Sequence, residues 1–400
     1  MRREAERLSF EVEARDGSAR AGVLHTAHGP VETPAFIPLA TKATVRGLEA
    51  REVAELGYEM VLGNTYHLFV SPGPDRIADA GGLHGFMGWE RALITDSGGF
   101  QVFSLAHGGV ADEVKGKGRP GGDHGSVVSI GEEGVRFRSY RDGSSLFISP
   151  EVSMEVQAKL GSDIALAFDE CTPYHADREY TARSMERTHR WLGRCLEWHG
   201  EHGPQRQAVF GIVQGGVHEE LRRESAQAVA ESDVDGIAIG GTLGRDKEEM
   251  RGVLALTAPL LPEQAPKHLL GIGDVDDLLA GIALGLDVFD CAIPTRLARH
   301  GTALVPDPES RFRLDLRKDW AGDRNPIAAG CPCPACQHHD RDYLSYLSRA
   351  EELTAVRLLC QHNLTYLHEL MQHAREAIRT GAFAAYTEAI LGSAPPWLAV

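Results

Sequence analysis

The sequence predicts an α/β protein: a (β/α)8 TIM barrel with an inserted zinc-binding subdomain near the C-terminus. Three observations predict it. Eight short apolar runs bounded by turn residues alternate with helical stretches, four of the run ends carry carboxylates or carboxamides, and three cysteines within six residues are followed 26 residues later by a histidine. Runs of that length separated by helix-length segments are the pattern of buried parallel strands and their crossovers. A doubly wound open sheet has the same rhythm, since periodicity does not show closure.

In chain order the expected strands are Ala35 to Pro38, Glu59 to Gly63, Leu93 to Asp96, Ile164 to Phe168, Ala208 to Ile212, Gly236 to Ile239, His268 to Gly271 and Val288 to Cys291. Two segments interrupt them. From Leu105 to Pro150 the chain is Gly-rich and then alternates apolar and polar residues at Val135, Phe137 and Ser145 to Ile148, as hairpins do. From Thr302 to His362 comes the cysteine cluster, preceded by the strand-like run from Arg311 to Leu316. After it, Tyr343, Leu344, Leu347, Leu353, Val356 and Leu359 follow helical spacing and suggest one apolar face. The expected organisation is therefore a barrel over 9–301 with an insertion at about 105–150, a zinc-binding subdomain over 302–362, and C-terminal helices over 363–390 packing on both.

The bulk composition is that of an ordinary globular chain, with 42% hydrophobic residues among 400. Charges fill the N-terminal MRREAERLSFEVEARDG where a secretory signal needs an apolar run, and no stretch of about eighteen apolar residues occurs. A cytoplasmic protein with no membrane partner is expected. Net charge is -16, from 57 acidic and 41 basic residues, which argues against broad non-specific nucleic-acid binding but leaves room for a local basic patch.

Cys331, Cys333, Cys336 and His362 form the donor set of a closed tetrahedral zinc site. A disulfide is the competing reading, and the other cysteines, Cys171, Cys195, Cys291 and Cys360, are scattered as reduced thiols are. His338 and His339 lie nearer to the cysteines, in the polar run QHHDRD, and could compete as ligands. Four protein ligands leave no open position for water or substrate, so a structural staple is expected rather than a catalytic metal.

In a barrel the chemistry lies where the strands end. Asp96-Ser97-Gly98-Gly99-Phe100-Gln101 follows the third strand, Asp169-Glu170-Cys171 the fourth, Gln214-Gly215-Gly216 the fifth, and Asp290 lies at the end of the eighth. Each Asp could equally be a helix cap or turn former. Their joint placement at one mouth is what points to a site. Asp163, which precedes its strand, and Glu170 are weaker candidates. Two carboxylates facing a pocket suit glycosidic chemistry, one attacking the anomeric carbon and the other moving a proton. The strand ends lack a His-x-His pair, a carbamylatable lysine and a phosphate-binding Gly-rich loop, which excludes several metal-hydrolase and nucleotide-enzyme types. Gly240-Gly241 suits either a phosphate or the close approach of a flat ring.

TDSGGFQVFSL (Thr95 to Leu105), AFDECTPY (Ala167 to Tyr174), FGIVQGG (Phe210 to Gly216), HLLGIGD (His268 to Asp274), FDCAIPTR (Phe289 to Arg296) and CPCPAC with His362 together resemble the bacterial type of tRNA-guanine transglycosylase, from about Ser9 to about Ala385. The resemblance implies exchange of guanine at the anticodon wobble position of tRNA for preQ1, a 7-deazaguanine precursor of queuosine, by a homodimer with one structural Zn2+ per chain. It implies that Asp290 is the nucleophile on the ribose and Asp96 the general acid/base. Asp169 and Gln214 would read the edge of the base, with Ser97 beside them. Phe100 would stack on it, Gly241 would offer backbone, and Leu270 would wall the pocket.

Arg296 and Arg299 follow the nucleophile strand and are the expected tRNA phosphate contacts, with Lys115, Lys117 and Arg119 of the insertion as further candidates. The chain departs from the family pattern after Gly241, where Thr242-Leu243-Gly244-Arg245-Asp246 is one residue shorter and lacks a glutamate. Queuine or another 7-deazaguanine therefore stays open as the incoming base. The insertion at about 106–124 is longer than usual, as a mobile lid or a disordered segment would be. Two other classes remain. A non-catalytic partner subunit would not need both Asp96 and Asp290, and a carbohydrate-active glycosidase would want aromatic platforms that a 7% aromatic content does not supply.

Overall fold

The computed structural model describes residues 7–100, 127–241 and 243–398. In chain order its strands are β1 (Ser9–Asp16), β2 (Ala19–Thr26), β3 (Gly29–Thr33), β4 (Ala35–Ala40), β5 (Met60–Gly63), β6 (Ala92–Thr95), β7 (Val127–Gly131), β8 (Gly134–Arg138), β9 (Ser145–Ile148), β10 (Ile164–Leu166), β11 (Ala208–Val213), β12 (Gly236–Ile239), β13 (Lys267–Leu269), β14 (Val288–Cys291), β15 (Thr302–Leu304) and β16 (Arg313–Asp315). β4, β5, β6, β10, β11, β12, β13 and β14 close into a parallel barrel, the last pairing with the first from Val288↔Ala35 to Cys291↔Pro38. All eight expected strands are present, and closure removes the open-sheet alternative. Short runs such as Met60-Val-Leu-Gly63 and Ala92-Leu-Ile-Thr95 are buried at every position, because one face lines the barrel and the other meets the helices. Ile37, Leu62, Ile94, Leu166, Ile212 and Ala238 fill the interior, while Phe36, Val61, Leu93, Ala165 and Val209 belong to the outer core.

An element the sequence reading did not separate is the antiparallel sheet β1-β2-β3 ahead of the barrel. Leu24 and Val31 of this sheet join the interior cluster and floor the barrel at the N-terminal ends of its strands. Arg20 of β2 is fully buried, with Nε 2.8 Å and Nη2 2.5 Å from the two oxygens of Asp287, which immediately precedes β14. At the turn after β2, His28 Nδ1 lies 2.7 Å from Asp163 Oδ1, while Leu93 N donates to Asp163 Oδ2 at 2.8 Å. Asp163 is thus a structural carboxylate below the strands.

The hairpin part of the insertion is the sheet β7-β8-β9, with Val135, Phe137 and Ile148 buried. Gln101, the expected lid and its Lys115, Lys117 and Arg119 lie outside the described residues, as does Thr242. The Arg178–His202 helix is capped by Asp177, and the Pro150–Leu160 helix by Ser149 with proline in its first turn.

Beyond β14, β15 and β16 pair antiparallel, and the Leu353–Thr380 helix crosses the expected 362/363 boundary without a break. It packs on the Ile293–Arg299 helix, on β15 and on β1, β2 and β4, tying both ends of the chain together. The apolar face expected from Tyr343 to Leu359 needs correction. Leu344, Leu347 and Leu359 are buried, whereas Tyr343 is 43% and Leu353 82% exposed. Leu353 opens its helix and Tyr343 lies in the first turn of another, so neither has a preceding turn to shelter it. Among the described residues no helix is long and apolar enough to cross a membrane.

Candidate active site and metal centre

The residues expected at the mouth form one arc of contacts around the strand ends. It starts at Asp96, directly after β6, which accepts from Thr65 N at 2.9 Å and Gly98 N at 3.2 Å on Oδ1 and from Asn64 Nδ2 on Oδ2. Asn64 caps the short Thr65–Val70 helix after β5, so that helix start positions the carboxyl. Burial pushes the Asp96 carboxyl up to about 7, with the Asp290 carboxylate adding to the effect and the Thr65 amide opposing it.

Ser97, next in the chain, donates to Asp169 Oδ1 at 2.7 Å, and Gln214 Nε2 donates to Asp169 Oδ2 at 2.7 Å. Burial is the main cause that lifts the Asp169 carboxyl to about 6, while Ser97 and Gln214 hold it down. Among the described residues the buried Gln214 Oε1 has no hydrogen-bond partner, an acceptor left for a ligand's N–H. A Cβ on Gly241, whose φ is +78°, would stand 2.3 Å from that oxygen, so the glycine lets the backbone lie against the Gln214 carboxamide. A Cβ on Gly240 would meet Leu270 Cδ1 at 3.3 Å, which places Leu270 as the adjoining wall. Phe100 is partly buried and follows Gly99, where a Cβ would come 2.4 Å from the Asp169 carbonyl. The backbone bearing Phe100 therefore runs against the Asp169 turn.

The arc ends at Asp290 in β14. Its Oδ1 lies 2.9 Å from His268 Nε2 and accepts from Gly271 N at 3.3 Å. The cap reading does not apply to it, because the N-cap of the Ile293–Arg299 helix that follows is Ala292, with no side-chain cap. Glu170 turns away from the mouth to Arg187 and to Tyr180 Oη at 2.7 Å.

Three residues unsingled in the sequence support this arc. Asn64 follows a strand as Asp96 does, and His268 lies inside the HLLGIGD motif, so both could have been found by position. Arg222 could not, since it sits on a helix with an ordinary polar pattern. Its guanidinium is fully buried and donates to the carbonyls of Gly216, Val213 and Gly240 at 2.7, 3.1 and 3.0 Å, joining the ends of β11 and β12. Desolvation lowers it to about 10.

Arg296 and Arg299 lie on the helix after β14, both partly buried. Desolvation, Arg46 and Arg296 lower the Arg299 pKa, which marks a local gathering of positive charge beside the mouth. Among the described residues neither Arg296, Arg299 nor Arg46 makes an ion pair with a carboxylate. Arg46, which follows β4, is a further member that the sequence reading did not name.

Cys331, Cys333, Cys336 and His362 converge as a separate centre, with Sγ to His362 Nδ1 separations of 3.7, 3.3 and 3.4 Å. Bonds of about 2.3 Å to sulfur and 2.0–2.1 Å to nitrogen at tetrahedral angles would put S and N roughly 3.6 Å apart, so the set fits a tetrahedral metal ion. His362 Nε2 lies 2.7 Å from the Leu304 carbonyl, which directs Nδ1 toward the sulfurs. His338 is exposed and the His339 ring lies tilted against Tyr343, 5.1 Å between centroids, so neither joins the donor set.

A family model described as queuine tRNA-ribosyltransferase matches residues 16–396. The queuine tRNA-ribosyltransferase of Roseiflexus sp. (strain RS-1) is 48% identical over 389 residues, covering 94% of this chain and 97% of that protein. Those of Symbiobacterium thermophilum and Herpetosiphon aurantiacus are each 46% identical, over 96% and 93% of this chain and 91% and 88% of theirs.

Proposed function

Because this chain belongs to the queuine tRNA-ribosyltransferase family of tRNA-guanine pentosyltransferases, we propose that it exchanges the wobble guanine of tRNA for a 7-deazaguanine, preQ1 first, through a covalent aspartyl-ribose intermediate. The observation that carries the reading is the pairing of two unlike carboxyls on one mouth: Asp96, lifted to about 7, and Asp290, held on one oxygen by His268 and Gly271. Asp290 Oδ2 attacks the anomeric carbon as the bond to guanine breaks, and Asp96 gives the departing base its proton. Asp96 then takes the N9 proton of the incoming base, which attacks the same carbon and releases Asp290. Two inversions at one carbon restore the original configuration. One N-glycosidic bond replaces another, so the balance needs neither nucleotide hydrolysis nor redox chemistry.

The base would lie flat between Phe100 and Leu270, with Asp169 accepting from its ring N–H and amino group. Gln214 would meet its carbonyl through the second N–H of Nε2, and Gly241 would offer backbone. A guanine reaches such a pocket only by leaving the anticodon stack, and Arg296 and Arg299 would hold flanking phosphates. The Cys3His set would bind one structural zinc in a subdomain spanning 302–362, and the active assembly would be a homodimer.

Incubation with unmodified tRNA and labelled guanine, then with preQ1 and queuine in parallel, tests the reading and decides the incoming base. Label should enter tRNA, and Asp290→Ala should abolish both exchange and the tRNA adduct on denaturing gels. Folded, metal-loaded protein that incorporates no label overturns the function, and an adduct that survives Asp290→Ala moves the nucleophile elsewhere.

A further inference from the structure

We infer that His268 is a positioning residue for the nucleophile, fixing Asp290 Oδ1 so that Oδ2 faces the substrate; this rests on the reading of Asp290 as the nucleophile. His268 lies in the barrel interior, paired in register with Ala238 on one side and Val288 on the other, both members of the interior apolar cluster. It is fully buried. An imidazole in an apolar layer is costly unless it is hydrogen-bonded, and its partner is Asp290, 2.9 Å from Nε2. Nε2 faces a carboxylate oxygen and must carry the hydrogen, which leaves Nδ1 as the bare acceptor. Among the described residues Nδ1 has no partner, and its position would leave a second N–H without an acceptor.

Two donors thus fall on one oxygen of Asp290. Gly271 N reaches the same Oδ1 at 3.3 Å, and among the described residues Oδ2 accepts no hydrogen bond. The carboxylate is anchored through one oxygen and free at the other, as an attacking group must be.

The variant to make is His268→Met, which keeps volume and removes the donor, beside His268→Gln, which keeps an N–H within reach. The readouts are the single-turnover rate of tRNA adduct formation across pH and the affinity for guanine alone, with metal content and melting temperature as folding controls. His268→Met should slow adduct formation roughly 10- to 100-fold, the loss expected for a hydrogen bond to a charged group. Guanine affinity should stay near parental because the base pocket lies elsewhere on the arc, and His268→Gln should recover much of the rate. Parental adduct rates in His268→Met overturn the inference. If His268→Met does not fold, His268→Leu takes its place under the same criteria. Should Asp290→Asn still form the adduct, the nucleophile assignment itself fails; if it forms none while His268→Met behaves as parental, only the role of His268 does.

Discussion

Asp96 meets two opposed demands: it must be protonated when guanine leaves and ionised when the new base arrives. Burial and the Asp290 charge place its pKa at about 7, where both forms are accessible at neutral pH. Adduct formation should therefore fall as pH rises through about 7, measured by single-turnover quench. The same shift has a stability consequence. Between its ordinary 3.8 and about 7 the folded chain holds a proton that the unfolded chain has lost, so this group makes stability fall as pH rises through that window. Asp96→Asn abolishes this titration, and its melting temperature relative to the parent should improve from pH 4 to pH 8 in calorimetry. A difference independent of pH would contradict the raised pKa. Gly241→Ala would drive a Cβ against Gln214 Oε1 at a φ of +78°, and should weaken guanine binding by at least about tenfold in equilibrium titration, the cost of roughly 1.4 kcal/mol or more. Most of the arc was legible because Asp96, Asp169, Gln214 and Asp290 directly end apolar runs. Arg222 was not, because its guanidinium acts on three carbonyls that only the folded strand ends bring together.

At the level of elements, the histidine of the Cys3His set and its neighbour share one helix with two different tasks. His362 faces the cysteines and bonds the Leu304 carbonyl, while Asn363 accepts from Leu304 N at 2.7 Å and donates to the carbonyls of Pro294 and Thr302 at 3.0 and 3.1 Å. The cysteine cluster is thereby coupled to the start of the helix that bears Arg296 and Arg299. Chelation of the metal should lower the melting temperature and weaken tRNA binding in a filter or gel assay. Metal-free protein with native melting, assembly and exchange would contradict the coupling. The strands and the Cys3His set could be read from spacing, since burial on both faces and ligand geometry each impose a local pattern. β1 is harder to read: Phe10, Val12 and Ala14 alternate with charged residues, but the whole strand is only partly sheltered, so no continuous apolar run marks it.

For the whole molecule, the pair Arg20–Asp287 bolts the N-terminal sheet to the base of the last barrel strand, and Lys267 N adds a 2.7 Å bond to Asp287 Oδ2. Arg20→Met would leave that carboxylate buried without its cation and should destabilise the fold by about 3–5 kcal/mol in urea denaturation. Adding Asp287→Asn should recover part of the loss. Closure itself was not legible in the sequence, because β4 and β14 pair across most of the chain and no local pattern announces a partner so distant. The same long reach appears where Arg375 Nη1, on the helix that holds His362, donates to the Pro34 carbonyl at 3.0 Å across 341 residues. At typical translation speeds those two residues leave the ribosome roughly 20 to 70 s apart. The first strands must wait that long, with apolar surface uncovered, before the Leu353–Thr380 helix can seal them, so the nascent chain carries an aggregation-prone face through most of its synthesis.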